Sequence, residues 1–453
     1  MQQRMAGMTP NMKKIIAIHW MIALALLGAG INFANAATSH SPFVTVDGTH
    51  FLRNGHPYYI VGTNLWYGGY LGSASEVGNR MRLAHELDTL KSMGINNVRV
   101  MAMSENSAIA GAVHPAIMNG FGKYDEALLA GMDYFLVELA KRNMTAVLYL
   151  NNYWQWSGGF SQYLSWLDGM PMQDPNVTHD YQAFMTHSAQ FYRNAQANAA
   201  YRDTIRRIVN RVNTVNGKSY INDPTILSWQ LANEPRPGAN DSTTDADKDI
   251  FMQWIDGTAQ FIHQLDNKHL VSSGNEGWRG CVDDKQLTVE SNRTRNVDYI
   301  TFHLWPRNWS WYDQHHAEET WDKALKLSRE YLNWHFDLSK QLNKPVVLEE
   351  FGLDRDSGEY DPHSTTKYRD KFYREVFELL YRRAKTGDAT AGFNFWAWNG
   401  TGRARHADYW WKTGDEFNGD PPQEQQGMYG VFDTDVTTIK VIKEFADKFH
   451  ALH

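Results

Sequence analysis

Two glutamates stand where side chains could do chemistry, each closing a short apolar run. Glu234 ends residues 225–237 (TILSWQLANEPRP), in which Ile226, Leu227, Trp229, Leu231 and Ala232 suit a strand covered on both faces. Pro235 has no N–H with which to continue a ladder, so the strand is expected to stop there and leave Asn233 and Glu234 at its mouth. Glu350 closes residues 345–351 (PVVLEEF) in the same manner. Cleaving a glycosidic bond takes one carboxyl group that protonates the leaving oxygen and another that attacks carbon or deprotonates water, and this pair fits that demand. Glu349 is the neighbour that competes with Glu350; adjacent strand residues point to opposite faces, so one of the two is expected to line the mouth.

Other chemistries find less support. A serine hydrolase would show a GxSxG elbow, and the sequence has none. A metal-dependent barrel enzyme gathers His and Asp at strand ends; here His303 stands almost alone, and His315 and His316 fall in a loop. No metal and no cofactor are therefore expected. With Cys281 as the one cysteine, the chain can form neither an internal disulfide nor a cysteine zinc cluster.

These side chains need a frame. Eight short apolar runs occur at residues 59–65, 97–101, 145–150, 226–232, 270–273, 299–304, 345–348 with its continuation EEFG, and 391–398. Helical candidates lie between them at residues 79–93, 124–143, 181–214, 245–266, 318–342 and 366–385; Leu128, Met132, Phe135, Leu136 and Leu139, for example, recur at spacings of three and four. Residues 276–297 carry too little period to assign. Repeated strand-helix alternation predicts parallel strands with helical crossovers, and eight such units predict a (β/α)8 barrel. In front of it, the turn dipeptides Asp47-Gly48 and Asn54-Gly55 within residues 43–59 predict an N-terminal hairpin pair. The longer non-periodic stretches, residues 103–122, 151–179, 354–365 and 399–431, follow strands two, three, seven and eight, so they build loops at the carboxyl face. The polar residues gathered at that face are Asn64, Arg99, Asn151, Asn152, Asn233, Glu234, Glu276, His303 and Glu350.

Composition sets outer bounds. At 453 residues, with 42% hydrophobic and 21% charged, the chain can bury a large core. Its 17 Trp, 22 Tyr and 21 Phe exceed ordinary core needs, and Trp154, Trp156, Trp305, Trp309 and Trp311 could serve either as sugar platforms or as loop packing. Residues 1–36 read as a secretory signal: Lys13-Lys14, an apolar run over 15–31, and a small-residue site at Ala34-Asn35-Ala36. Residues 37–453 then form a single catalytic domain, secreted or periplasmic. Removing Arg4, Lys13 and Lys14 takes the formal charge from −7 to −10, which disfavours nucleic acid and anionic membranes as partners.

The ordered set Arg99 in NNVRV, Asn233-Glu234-Pro235 in LANEP, His303 in TFHLW, Glu350 in LEEFG and Trp396 in FNFWAW resembles glycoside hydrolase family 5, clan A, over residues 43–452. More narrowly, NLWYGGYLG, NNYWQWSGG, LANEPRPG, HLWPRNW and LEEFGLDRD resemble the family's endo-β-1,4-mannanases. The resemblance implies a retaining, endo-acting hydrolase of mannan, glucomannan or galactomannan that works as a monomer, with Glu234 as general acid/base and Glu350 as nucleophile. It further implies that Arg99 holds Glu350, that Asn233 bonds the sugar 2-hydroxyl, that His303 joins the polar network, and that Trp396 floors the reacting sugar. Asn152, Trp154 and Trp305 complete the expected substrate-binding set. Trp305 occupies a position where the family often has Tyr; an indole N–H donates but cannot accept, so that hydroxyl's role does not carry over. The alternatives are an endo-β-1,4-glucanase of the same family and a non-catalytic carbohydrate-binding protein, the second disfavoured by the presence of both glutamates.

Overall fold

The turn dipeptides near the start of the described chain work as their chemistry demands. In the computed structural model, which describes residues 41–452, Gly48, Asn54 and Gly55 all take positive φ and join β1 (Val44–Asp47), β2 (His50–Arg53) and β3 (His56–Tyr58) into an antiparallel meander. Val44, Phe51 and Tyr58 from this meander pack with Ile60, Val147, Leu227, Leu270, Tyr299, Val347 and Ala391, residues at or near the amino ends of the parallel strands that follow. The meander thus plugs the bottom of the barrel. The signal expected over residues 1–36 lies outside the described residues.

Eight parallel strands make the barrel: β4 (Ile60–Asn64), β5 (Asn97–Met101), β6 (Thr145–Tyr149), β7 (Ile226–Gln230), β8 (Leu270–Ser272), β9 (Ile300–Leu304), β10 (Val346–Phe351) and β11 (Gly392–Phe395). All are buried along their length, as apolar strands sandwiched between a packed interior and a helical shell must be. The ladder runs β8-β7-β6-β5-β4-β11-β10-β9. Its two ends meet through Asp298 N–H to Val271 O (2.8 Å) and His303 N–H to Glu276 O (3.1 Å). The chain therefore forms the (β/α)8 barrel that its alternation predicts.

The outer helices are α1 (Arg80–Ser92), α2 (Glu126–Lys141), α3 (Ala195–Val209), α4 (Asp245–Leu265), α5 (Lys285–Arg293), α6 (Ala317–Leu342), α7 (Lys367–Lys385) and α8 (Val436–His450). Local chemistry sets their starts. Asp125 accepts from the Ala127 and Leu128 N–H groups, and Thr244 and Asp247 form a reciprocal capping box. The helical period over 181–214 breaks because Asn194 caps a new helix by accepting from Ala197 N–H. Within the weakly periodic residues 276–297, Asp284 likewise caps α5. Residues 151–179 hold a further short helix, Gly159–Asp168, and α8 buries Val441, Ile442, Phe445 and Phe449 in a position where sequence reading gives no helix.

Of Glu349 and Glu350 only the second lines the pocket at the mouth, as expected, but the alternation behind that expectation is corrected. The β9–β10 register slips between Leu348 and Glu350, so Glu349 does not point away from Glu350. Both side chains are buried inside, and Glu349 reaches Arg99 Nε at 3.6 Å. The extra residue of the bulge defeats simple alternation.

The segment after β8 positions the other glutamate. Glu234 has φ +51, in the left-handed region, and its N–H donates to Gly274 O at 3.0 Å. Gly274 itself has φ +77, and a Cβ there would lie 1.9 Å from Ala232 O. Gly274→Ala is accordingly expected to cost about 2 kcal/mol or more and to move the backbone under Glu234. Thermal unfolding and kcat measured together should both fall, and a variant with native Tm and kcat would show that this carbonyl does not hold Glu234.

Candidate active site

The carboxyl ends of the strands bring the predicted residues to one place. Arg99 on β5 is fully buried and spends its fork inside the barrel: Nε donates to Gln230 Oε1 (2.8 Å), Nη1 to Asn64 Oδ1 (3.1 Å) and to Glu350 Oε1, and Nη2 to Asn233 Oδ1 (2.8 Å). A planar five-donor cation suits that geometry, and its plane lies 4.7 Å from the Tyr149 ring. Arg99 thus orients the carboxylate of one strand and the amide of another.

His303 on β9 joins the two glutamates. Its Nδ1 lies 2.6 Å from Glu234 Oε1 and 3.2 Å from Glu350 Oε2. The second oxygen of Glu234 accepts from Trp154 Nε1 at 2.6 Å. Burial pushes the Glu234 carboxyl up, but the hydrogen bonds and charges of His303, Trp154 and Arg236 outweigh it and hold the group below its ordinary value. Burial depresses the imidazole, and the facing Glu350 and Glu234 reverse this to about 10. One atom each from Glu234, His303 and Glu350 lies within 4.8 Å of the others. This is the one such group of potential metal ligands among the described residues, but its atoms already pair with one another, and a cation would have to displace the His303 proton.

A pocket of about 620 Å³ opens over these groups. Glu234, Glu350, Asn233, Trp154, Trp305 and Trp396 line it, as the sequence leads one to expect. Arg99, His303 and Asn152 do not line it; all three are buried behind its wall. Asn152 is therefore corrected from a sugar-binding residue to a support: its Oδ1 accepts from Asn233 Nδ2 (3.2 Å) and Trp154 N–H (3.1 Å), and its Nδ2 donates to Ser157 Oγ (3.0 Å). Arg99 grips Glu350, as the resemblance implies, and does not itself line the pocket. Trp156 and Trp309 line the pocket, whereas Trp311 packs edge-on against Trp309.

Sequence reading missed several wall residues. Arg236, two residues past Glu234, pairs with Glu276 (3.3 Å); its place in the strand-end LANEPRP run was the available signal. Burial raises the Glu276 carboxyl to about 7 against the opposing pull of Arg236. Gln423 and Glu424 come from the long loop after β11, which carries no periodic signal. Burial, with Asp420 nearby, raises the Glu424 carboxyl to about 8. Glu105, in the loop after β5, supports a neighbouring loop by accepting from Gly159 N–H (2.9 Å).

Two carboxylates that meet through one imidazole inside an aromatic-walled pocket are an arrangement for cleaving a glycosidic bond, and the sequence matches accordingly. Residues 41–453 match the family model described as GH family 5 beta-mannosidase-like. The chain belongs to glycoside hydrolase family 5. A family 5 mannosidase from Rhizomucor miehei is 35% identical and superposes with a TM-score of 0.84, over 91% of this chain and 99% of that one. Mannan endo-1,4-beta-mannosidase 5 of Arabidopsis thaliana is 29% identical over 78% of each chain. Mannan endo-1,4-beta-mannosidase 4 of Solanum lycopersicum is 28% identical over 82% of this chain and 87% of its own.

If, as the resemblance implies, Glu350 is the nucleophile and Glu234 the acid/base, the two glutamates must fail in different ways. Glu350→Ala removes the nucleophile, so neither step proceeds on any β-mannoside. Glu234→Ala removes the proton donor, so an activated aryl mannoside still forms the intermediate, and azide, which needs no deprotonation, should release it as β-mannosyl azide. Equal loss in both variants on the activated substrate would reject the assignment.

Proposed function

We propose that this chain hydrolyses internal β-1,4-mannosidic bonds in mannan, glucomannan or galactomannan with retention of configuration. The observation that carries the retaining reading is the separation of the carboxylates, whose facing atoms lie within 4.8 Å. Retaining pairs stand roughly 5 to 5.5 Å apart, whereas an inverting pair needs roughly 6.5 to 9.5 Å to admit water between them. In the first step Glu350 attacks the anomeric carbon while Glu234 protonates the departing oxygen. In the second, Glu234 deprotonates a water that releases the sugar. Trp396 and Trp305, set nearly perpendicular with centroids 6.1 Å apart, give the ring an apolar floor and side wall. The names of the plant relatives support mannan as the substrate.

One feature favours a second reading, removal of single mannose units from chain ends. The pocket is lined from the loops after β6, β7, β8, β9 and β11 and by Glu350 of β10, with no residue from the loops after β4 or β5. On that side, residues 417–423 fold back over the mouth. Trp66 Nε1 donates to Gly419 O (2.9 Å), Arg82 Nη1 to Phe417 O (2.9 Å), and Gln155 Nε2 to Gln423 Oε1 (3.1 Å). A cleft walled in this way holds few sugars beyond the reacting one. The 35% identical Rhizomucor miehei protein, called a mannosidase, fits this reading.

Product sizing decides between them. Internal cleavage predicts that linear mannan and mannohexaose yield a ladder of oligosaccharides early, with a fast fall in viscosity; mannose alone from the first time points would establish the second reading. Carboxymethyl-cellulose is expected to give a far lower kcat/KM, and an equal or higher value there would overturn the mannan preference.

Export is part of the proposal, supported by Lys13-Lys14, the apolar run and Ala34-Asn35-Ala36. Amino-terminal sequencing of protein recovered outside the cytoplasm should begin at or near Ala37. A chain starting at Met1 in the membrane fraction would count against it.

A further inference from the structure

A polysaccharide cut in its middle needs room on both sides of the reacting sugar, and this pocket is closed on the side of β4 and β5. Residues 417–423 cross the mouth there, from β11 to the loop after β6. Phe417 meets Trp66 and Tyr70, which follow β4, edge-on with centroids 5.1 and 5.0 Å away. A Cβ on Gly111, in the loop after β5, would lie 3.3 Å from Gln423 Cα, and Gln155, after β6, donates to Gln423 Oε1 at 3.1 Å. The crossing segment is buried from Phe417 to Pro422. β7, which brings Glu234, stands opposite β11 in the ring of eight. The leaving group therefore lies away from this segment, and the non-reducing end of the sugar faces it.

The segment has no regular structure, so it keeps its place through the side chains packed against it. Arg82 on α1 is buried and joins both limbs of the loop to that helix. Nη1 donates to Phe417 O (2.9 Å) and Glu416 Oε2 (3.4 Å) on the returning limb. Nη2 donates to Asn399 O (3.2 Å) on the outgoing limb, to Asn418 Oδ1 (3.4 Å) and to Tyr67 OH (3.4 Å). Nε donates to Glu86 Oε1 (3.3 Å), and Glu86 in turn takes the N–H of Thr401 and Trp398 Nε1. Asn399 passes the hold on, its Oδ1 accepting from Gly419 N–H. Trp66 and Asp420 add ties to the returning limb alone. Spanning two limbs from one point suits a planar fork with five N–H groups.

We infer that Arg82 is a positioning residue that makes the pocket select chain ends: by fastening both limbs of the loop to α1 it keeps residues 417–423 across the mouth, so that only a terminal mannose fits over Trp396. The inference rests on the second reading above, removal of single mannose units. None of the hydrogen-bond partners of Arg82 lines the pocket, so it acts through the loop and leaves Glu234 and Glu350 in place. Without it Phe417 O and Asn399 O lose their donor, and buried carbonyls without partners drive the segment off β4 and β5 toward water. The groove so opened would run over Trp66 and Tyr70, whose rings can stack a further sugar.

Mannohexaose whose non-reducing end is capped by a 4,6-O-acetal tests the idea, because it offers the pocket no free terminal sugar. The native protein should leave it intact while releasing mannose from the uncapped hexamer. Arg82→Ala should cut the capped hexamer internally, with kcat/KM at least about tenfold above the native value, while an aryl β-mannoside, which fills only the reacting position, keeps its kcat/KM within about fivefold. A residue that served stability alone would lower Tm and both rates together and gain nothing on the capped chain. A folded variant that leaves the capped hexamer intact would overturn the inference and leave the chain-end reading standing. Native cleavage of the capped hexamer, or no mannose from the uncapped one, would remove that reading and the inference with it. Should Arg82→Ala not fold because Glu86 is left as an unpaired buried charge, the double variant Arg82→Met with Glu86→Gln removes both charges at similar volume, and the same outcomes decide.

Discussion

A guanidinium with no exposed surface must be paid for by its partners, and Arg99 finds one on each of several strands. Gln230, Asn64, Asn233 and Glu350 each take a hydrogen bond from it, and Glu349 lies 3.6 Å from its Nε. Removing one partner of a buried charge leaves the other uncompensated, at roughly 3 to 5 kcal/mol. The same fork that satisfies the charge fixes the carboxylate of Glu350 and the side-chain amide of Asn233. Closing the barrel and building the site are therefore one act of charge compensation. Arg99 also requires the β10 bulge, which turns Glu349 inward to share the charge while leaving Glu350 in the pocket wall.

Backbone strain also falls at the opposite carboxylate. Glu234 takes a left-handed backbone that costs a non-glycine residue about 1 to 3 kcal/mol. It is held there by Gly274 below, by His303 and Trp154 on its two oxygens, and by the Asn152–Asn233 bridge beside it. The result is a carboxylate whose position is over-determined from the loops after β6 and β8 and from β9 itself.

The barrel was legible because its strands are apolar on both faces and its helices keep a 3.6-residue period. Both glutamates, Arg99, Asn233 and His303 were legible because strand ends mark the mouth, and Trp396 through the motif FNFWAW. What failed has physical causes. Alternation could not foresee the bulge at Leu348–Glu350, since one extra residue leaves no mark in composition. Asn152 looks like a ligand by its place at a strand end, but its polar atoms face Asn233, Trp154 and Ser157, which only tertiary packing decides. α8 went unread although it buries Phe445 and Phe449, because it follows a long irregular loop rather than a strand.

That loop also governs how much substrate the site can hold. Residues 400–430 have little regular structure, yet they are pinned by groups from several elements. Glu86 takes hydrogen bonds from Trp398 Nε1 (2.7 Å) and Thr401 N–H (2.9 Å), and Asp420 accepts from Gly427 N–H (2.7 Å) and Tyr429 N–H (2.8 Å). Fixed in this way, the loop is a wall rather than a lid, and it brings the half-buried Glu424 into the pocket. A carboxyl raised by burial to about 8 is neutral at neutral pH and can donate as well as accept, as a sugar hydroxyl in an otherwise aromatic pocket requires. The catalytic centre is set by the strands and the mode of attack on the chain by this one loop, so enzymes with the same glutamates can differ in where along a mannan they cut.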